Sequence, residues 1–280
     1  MHNRYALLPT LKRNALTITG LTIVIGLVVC AIFAPQIAPY DPFRISPVER
    51  LQPPSWAHLC GTDSLGRDIF SRILYGARIS LSLGVTVVFF TSVIGSVVGV
   101  VSGYVGGLFD EIVMRVTDVF MSVPYLVLAV LIAAVLGPSL ENTMISLIIT
   151  WWPMYARLIR GQVLLVREAT YIEAAVGVGS GRARILATHV IPNTLSPIII
   201  QASLSFGNVI MYAAGLSFIG VGAQPPSPEW GAMISDGRSF LQEAWWYPTF
   251  PGLVILLTVI GFNLLGDAIR DYLDPRFGTK

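Results

Sequence analysis

Two short stretches of this chain combine residue types at spacings that suit a specific task. The inner stretch reads Glu173-Ala174-Ala175 and continues through Gly179 to Pro192, while the outer stretch reads Gly61-Thr62-Asp63 and then Gly66-Arg67-Asp68. Neither stretch pairs a nucleophile with a base, and neither has the His/Cys spacing of a metal site. Small residues beside a glycine corner instead favour close approach of another backbone, so the expected chemistry is protein recognition.

The sequence predicts no catalytic and no metal-binding residues. Its three histidines (His2, His58 and His189) lie far apart, and the His-Glu-x-x-His pattern of zinc proteases is absent. The two lysines follow Leu11 and Thr279, so no Gly-Lys-Ser/Thr phosphate loop exists. Cys30 and Cys60 predict no structural disulfide. If ATP drives this protein, another chain must hydrolyse it.

The composition predicts a polytopic membrane protein. Hydrophobic residues make up 54% of the 280 positions and charged residues only 12%, with a mean hydropathy of +0.70. Soluble domains carry about 25% charged residues. A net charge of +2 gives no basic surplus for binding nucleic acid, so the expected surroundings are a lipid bilayer.

Six segments are apolar and long enough to cross a membrane as helices, because the hydrocarbon core needs about 20 residues. They cover roughly residues 15–34, 79–103, 122–140, 143–160, 195–222 and 248–268. A short turn near Gly137 joins the third to the fourth as a hairpin. The first segment is too long for a signal peptide and has no cleavage site, so it is expected to be an anchor.

The distribution of basic residues predicts that both termini face the cytoplasm. With the N-terminus inside, twelve Lys and Arg residues fall on inner segments and six on outer ones, in agreement with the positive-inside rule. Five of those six lie in the first outer loop, residues 35–78, which is a mild exception. That loop is predicted to become helical from Leu65, with Ile69, Ile73 and Ala77 on one face and Arg67, Ser71 and Arg78 on the other.

Two further patterns concern helix packing. Residues 107–121 are amphipathic, with an apolar face opposite Asp110, Glu111, Arg115 and Asp118, and Glu111 and Arg115 form a favourable i,i+4 pair. Glycines recur every four residues at 95, 99, 103 and 107, which permits close helix contact. We expect that contact within the chain, with a subunit interface as the alternative.

The inner loop, residues 161–194, is long for a helix connection. Glu173-Ala174-Ala175 favours a short helix, Gly179-Ser180-Gly181 ends it, and a return helix from about 182 is expected to break at Pro192. Gly179 is expected to need a positive φ or a close neighbour. Such a helix could sit in another protein's groove, and a generic amphipathic loop is the alternative. Glu173 could bind a backbone donor, Arg182 or Arg184, or stay solvated.

These motifs resemble those of a known family. Glu173, Ala174, Ala175 and Gly179, with the trailing Pro192, resemble the coupling-loop motif of ATP-binding cassette (ABC) importer permeases. The outer stretch Gly61–Arg72, the segment Leu216–Gly222 with Pro228–Gly231, and the tail from Asn263 to Pro275 resemble the peptide/nickel branch, and within it the C-type subunit of dipeptide and oligopeptide importers. The resemblance runs from the first span to about Pro275.

The resemblance implies an all-α membrane protein with the type I importer permease fold and no enzymatic activity. Residues 1–78 would form a tail, first span and outer loop, and residues 79–280 a permease core that includes the coupling loop. Implied partners are a second homologous permease, two ATPases that carry ATP and Mg, and an extracytoplasmic substrate-binding protein. This chain itself would hold no cofactor and would lie in the bacterial inner membrane.

Small peptides, dipeptides first, are the expected cargo. Nickel or a nickel chelate is the alternative within the family, although no span offers a His/Cys cluster for a soft metal. An ion-coupled secondary carrier is the alternative from another class, and charge-free spans argue against it. The substrate-contacting residues are unknown. The outer residues Gly61, Thr62, Asp63, Gly66, Arg67 and Asp68 have no assigned role: Arg67 and Asp68 could contact the binding protein or cap the outer helix.

Overall fold

The computed structural model describes residues 15–273, and these are almost entirely helical. Over that range the only β feature is an isolated bridge between Thr62 and Asp68. The all-α prediction is therefore confirmed. The predicted tail motif ends at Asp274 and Pro275, and those two residues lie outside the described residues, as do the basic residues at positions 4, 12 and 13.

Nine helices of eight or more residues occur within residues 15–273. They are α1 (Ala15–Ile32), α2 (Ile69–Val105), α3 (Gly107–Ser122), α4 (Tyr125–Leu136), α5 (Leu140–Arg167), α6 (Thr170–Gly177), α7 (Ile191–Ile219), α8 (Trp230–Gly237) and α9 (Trp246–Leu273). Short helical turns cover Ala34–Ile37, Pro47–Glu49, Arg182–Ile185 and Arg238–Phe240, and a π-helical turn covers Leu186–Val190.

In the described part of the chain, four helical stretches are apolar and long enough to cross a membrane: α1, α2, Arg182–Ile219 and α9. A fifth crossing results if α3 and α4, which meet at an angle of 91°, count as one broken span. Alone, α4 has 12 residues and is about 18 Å long, which is too short for a core of about 30 Å. The predicted hairpin is present, because α4 ends at Leu136 and the Ser139 side chain caps α5.

Tight contact between α2 and α5 organises the bundle. A Cβ added at Gly95 would lie 2.5 Å from the Trp152 carbonyl oxygen, and one at Gly99 would lie 2.5 Å from that of Ala156. Gly103 makes the next contact, with Arg160, whereas Gly107 has open space. The glycine repeat therefore serves packing within the chain at three of its four positions. Elsewhere α1 packs on α9, where Gly20 faces Leu264.

The structure shows how the two predicted amphipathic segments are buried. The predicted outer helix begins at Ile69 rather than Leu65 and runs without a break into the second span, so α2 has 37 residues. The apolar face of this helix is buried, and Arg67 and Ser71 of the opposite face are buried as well. In α3 the apolar face is exposed, and Asp110 is buried because Arg160 reaches it from α5. The predicted Glu111–Arg115 pair is present at 3.9 Å.

Pro192 does not break the return helix, contrary to the prediction. Helical structure continues from Arg182 to Ile219 and contains the π-helical turn Leu186–Val190 immediately before the proline. A proline removes one backbone N–H and crowds the carbonyl four residues earlier. Widening the preceding turn relieves that crowding, so the chain keeps its direction into α7.

Candidate functional site

The inner loop forms a compact hairpin of the predicted kind. The helix α5 extends into it as far as Arg167, and α6 follows after two residues. Ile172 of α6 is buried and packs in a cluster with Ile159 and Val163 of α5 and with Ile185 and Val190 of the return segment. A single side chain thus anchors α6 to both neighbouring helices.

A Schellman motif ends α6 at Gly179. The Ser180 N–H donates to the Ala175 carbonyl over 3.0 Å, and the Gly179 N–H donates to the Val176 carbonyl over 2.9 Å. Gly179 has φ +83° and no atom within 4 Å of an added Cβ. Of the two predicted reasons for glycine, the structure shows the positive φ and not a close neighbour, as is usual for this motif.

The outward side of α6 is uncovered. Glu173, Ala174 and Val176 are exposed, and Val178 beyond the helix end is 82% exposed. Within residues 15–273 the Glu173 carboxylate has neither a hydrogen bond nor an ion pair, so the expected partners Arg182 and Arg184 do not bind it. The Pro192 ring lies past the π-helical turn, at the start of α7. Small and apolar side chains in such a knob fit a groove on another protein.

The outer stretch, residues 61–68, is a buried turn around Asp63. One Asp63 carboxylate oxygen accepts from the backbone N–H groups of Leu65 and Arg67 at 2.8 and 2.9 Å, and the other accepts from Arg67 Nε at 2.6 Å. Thr62 is buried and bonds to the backbone of Gln52 and Glu49. Gly61 and Gly66 both have φ +74°, and a Cβ on Gly66 would overlap the Ser46 carbonyl.

Asp68 caps the longest helix of the chain. Its carboxylate accepts from the Ser71 N–H at 2.7 Å and contacts His58 Nδ1 at 2.9 Å. Both Asp68 and Arg67 are about 97% buried; Asp68 is the N-cap of α2, and the Arg67 side chain pairs with Asp63 instead. The sequence signal was present in the spacing, since Asp three residues before a helical N–H is a usual cap.

Arg72 joins this turn to a second outer loop. Its guanidinium is fully buried and donates to the carbonyl oxygens of Pro42 at 3.0 Å and of Pro226 and Ser227 at 3.4 Å. Asp63 lies 3.6 Å from Nε. These contacts hold two segments together as one outer unit, residues 38–72 and residues 223–230. No pattern in the sequence predicted this long-range contact.

Glu229 caps α8 inside this outer unit. Its two carboxylate oxygens accept from the N–H groups of Gly231 and Ala232 at 2.9 Å, and Ser80 lies at 3.4 Å. Burial raises the pKa of the Glu229 carboxyl above its ordinary value, although these donors oppose the rise. Trp230 Nε1 also donates to the Ile73 carbonyl at 3.0 Å, which fixes the start of α8 against α2.

At the end of the bundle that carries α6, ion pairs fasten α3 to α5. Asp110 accepts from Arg160 Nε and Nη2 at 2.6 Å and from the Ser102 hydroxyl. Arg157 pairs with Asp118 eight residues further along α3. Arg167 donates to the carbonyls of Gly103 and Tyr104, where α2 ends. These contacts join α5 to α3 and to the end of α2.

Comparison with known proteins places this architecture. Residues 95–279 match the family of binding-protein-dependent transport system inner membrane components, and residues 8–54 match the N-terminal transmembrane domain of oligopeptide transport permease C. A chain in a structure of the MetNI methionine ABC transporter in inward-facing conformations superposes with a TM-score of 0.60 at 20% identity, covering 74% of this chain and 98% of that one. That likeness shows a shared fold.

Two curated relatives extend over nearly the whole chain. The probable D,D-dipeptide transport system permease protein DdpC of Escherichia coli strain K12 is 49% identical over 270 residues, which cover 96% of this chain and 91% of DdpC. The dipeptide transport system permease protein DppC of Alkalihalophilus pseudofirmus is 46% identical, over 95% of this chain and 88% of its own. This chain belongs to the family of binding-protein-dependent transport system inner membrane components.

Proposed function

We propose that this chain is the permease subunit of an ABC importer that carries dipeptides across the bacterial inner membrane. The observation that carries the proposal is the uncovered α6 knob, anchored through Ile172 and closed by Gly179. The relatives named above supply the cargo class, because both are dipeptide permeases by name. The chain is a multi-pass membrane protein, and nickel is not favoured as its cargo.

We infer six spans with both termini inside. Counting α3 with α4 as one crossing gives α1, α2, α3–α4, α5, the stretch Arg182–Ile219 and α9. The helix α5 is about 42 Å long, enough for a core of about 30 Å. The excess of basic residues on the segments facing the α6 side supports this orientation.

The proposed partners are two ATPases, a second homologous permease and a substrate-binding protein outside the membrane. ATP and Mg would be bound by the ATPases, and this chain would serve no catalytic step. The family description names dependence on a binding protein. Residues 1–78 would act as an accessory anchor with its outer loop. Residues 79–280 would act as a permease core.

The contacts suggest how force on α6 would reach the membrane. Ile172 ties α6 to α5 and to the segment leading into α7. From α5, the glycine contacts lead to α2 and the Arg160–Asp110 pair leads to α3. Docked ATPases that change their separation would therefore move three helices together. No titrating group inside a span is needed for such alternating access.

Val178 offers the sharpest test of docking, because its side chain is 82% exposed and its replacement disturbs no packing. We expect Val178→Asp to abolish both copurification of the ATPases and dipeptide uptake, while Val178→Ile, the matched control, retains both. Membrane content of each variant is measured in parallel. Wild-type ATPase association in Val178→Asp would refute the docking role of this knob, and uptake driven by an ion gradient without the ATPases would refute the importer itself.

A further inference from the structure

The first outer loop displays large apolar side chains to solvent. Trp56 is 98% exposed and Val48 is 90% exposed, and Phe43, Ile45 and Leu59 are each about half exposed. Scattered apolar residues are normal on protein surfaces. Five such side chains lie within 17 positions of a loop that also buries Asp63, Asp68 and His58. Folding does not explain them, because polar residues could occupy the same exposed positions.

The segment that carries Trp56 is held in a fixed conformation. The Ser55 N–H donates to the His58 carbonyl at 2.8 Å, and the His58 N–H donates to the Ser55 hydroxyl at 3.1 Å. The His58 ring contacts the Asp68 carboxylate at 2.9 Å and stacks on Tyr40 at 4.8 Å. The indole therefore projects from a tight turn that is fastened to the start of α2. A backbone that is already fixed loses little conformational entropy when a partner covers the side chain it carries.

The position of this turn along α2 separates it from the lipid. Arg78 is exposed and precedes the charge-free part of α2, so it marks the membrane boundary. Asp68 lies ten residues earlier, about 15 Å further along the helix axis. The headgroup layer is only about 6 Å deep on each side. Trp56 lies two residues before His58, whose ring contacts Asp68, so its turn is tied to the part of α2 that precedes this boundary, at the end opposite α6.

We propose that Trp56, supported by Val48, is an anchor for the substrate-binding protein on the outer unit. This inference rests on the proposed function, which places residues 38–72 outside the membrane, and on the family's dependence on a binding protein. Tryptophan is enriched among the residues that dominate binding energy, and arginine is the usual companion. Here Arg44 and Arg50 are both exposed in the same loop.

The experiment measures the affinity of the importer's binding protein, loaded with a dipeptide, for the complete importer in lipid nanodiscs. We expect Trp56→Ala to raise the dissociation constant about 10- to 30-fold, and Val48→Ala to raise it by a smaller factor. Leu241→Ala is the matched control. Leu241 is 55% exposed between α8 and α9, and the loss of its side chain should change the dissociation constant less than twofold.

Two outcomes overturn the proposal. Unchanged affinity in the Val48→Ala/Trp56→Ala double variant would show that this loop is not the docking surface. An equal loss in Leu241→Ala would show that any exposed apolar group on this side suffices. Both leave the importer function intact as long as dipeptide uptake persists. Failure of the wild-type importer to bind the loaded binding protein or to take up dipeptide would instead contradict the proposed function.

Discussion

Replacing the two most crowded glycines of α2 tests the packing that joins α2 to α5. In the variant Gly95→Ala/Gly99→Ala each new methyl group meets a backbone oxygen of α5 at 2.5 Å, where no flexible side chain can move away. Overpacking costs about 1–3 kcal/mol per site. Removing glycine from a helix interior returns about 0.5–1 kcal/mol per site. The two helices must separate, and mid-range values for the two sites give a net destabilisation of about 2–3 kcal/mol.

The assay is the midpoint of thermal unfolding of the purified protein in detergent, followed by fluorescence-detected size exclusion. For a chain of this size about 1 kcal/mol corresponds to 2–4 °C, so the midpoint should fall by about 2 °C or more. The control variant Gly26→Ala/Gly161→Ala has open space at both sites and keeps only the helix-propensity gain, so its midpoint should stay or rise. A double variant at positions 95 and 99 that unfolds no earlier than this control would refute the close-contact argument.

Three further predictions concern buried polar groups. Arg160→Ala leaves Asp110 without its bidentate partner and should destabilise the protein by about 1.5–3 kcal/mol; part of that loss should return in Asp110→Asn/Arg160→Ala, and identical midpoints for both would contradict the pairing. Because burial raises the folded-state pKa of Glu229, its contribution to stability is full below about pH 4.5 and is lost as the pH rises through the folded pKa. The midpoint of wild type relative to Glu229→Gln should therefore fall from pH 5 to pH 8, and a constant difference would count against it. Burial also raises the pKa of the Cys60 thiol to about 11, so in a Cys30→Ala background its alkylation by a water-soluble maleimide should accelerate about tenfold per unit between pH 8 and pH 10; a plateau below pH 9 would disprove the shift.

The sequence predicted the elements that depend on local patterns. Runs without charged residues predicted α1, α9 and the apolar helices of the bundle between them. The glycine spacing predicted the contact between α2 and α5. The short helix before Gly179 followed from Glu173-Ala174-Ala175 and the positive-φ corner. These features depend on hydropathy, glycine stereochemistry and helix propensity, all of which act within a few residues.

Long-range pairs were not predictable in the same way. Nothing near Asp110 in the sequence indicates that an arginine 50 residues later would reach its carboxylate from another helix. The effect of Pro192 depended on whether the preceding turn could widen, which packing decides. The role of the outer stretch and the division at residue 78 stay predictions, since they concern partners and units rather than contacts within the chain.

The buried guanidinium of Arg72 imposes an order on how this protein is made. Two of its carbonyl partners lie 154 and 155 residues later in the chain, so they do not exist when α2 enters the membrane. The ribosome must add α3 through α7 before residues 226 and 227 emerge. Until then the cation has only Asp63 and Pro42 to satisfy it. Biogenesis therefore completes the outer unit late: in a chain truncated before residue 226, water must solvate the part of the guanidinium that Pro226 and Ser227 cover in the finished protein.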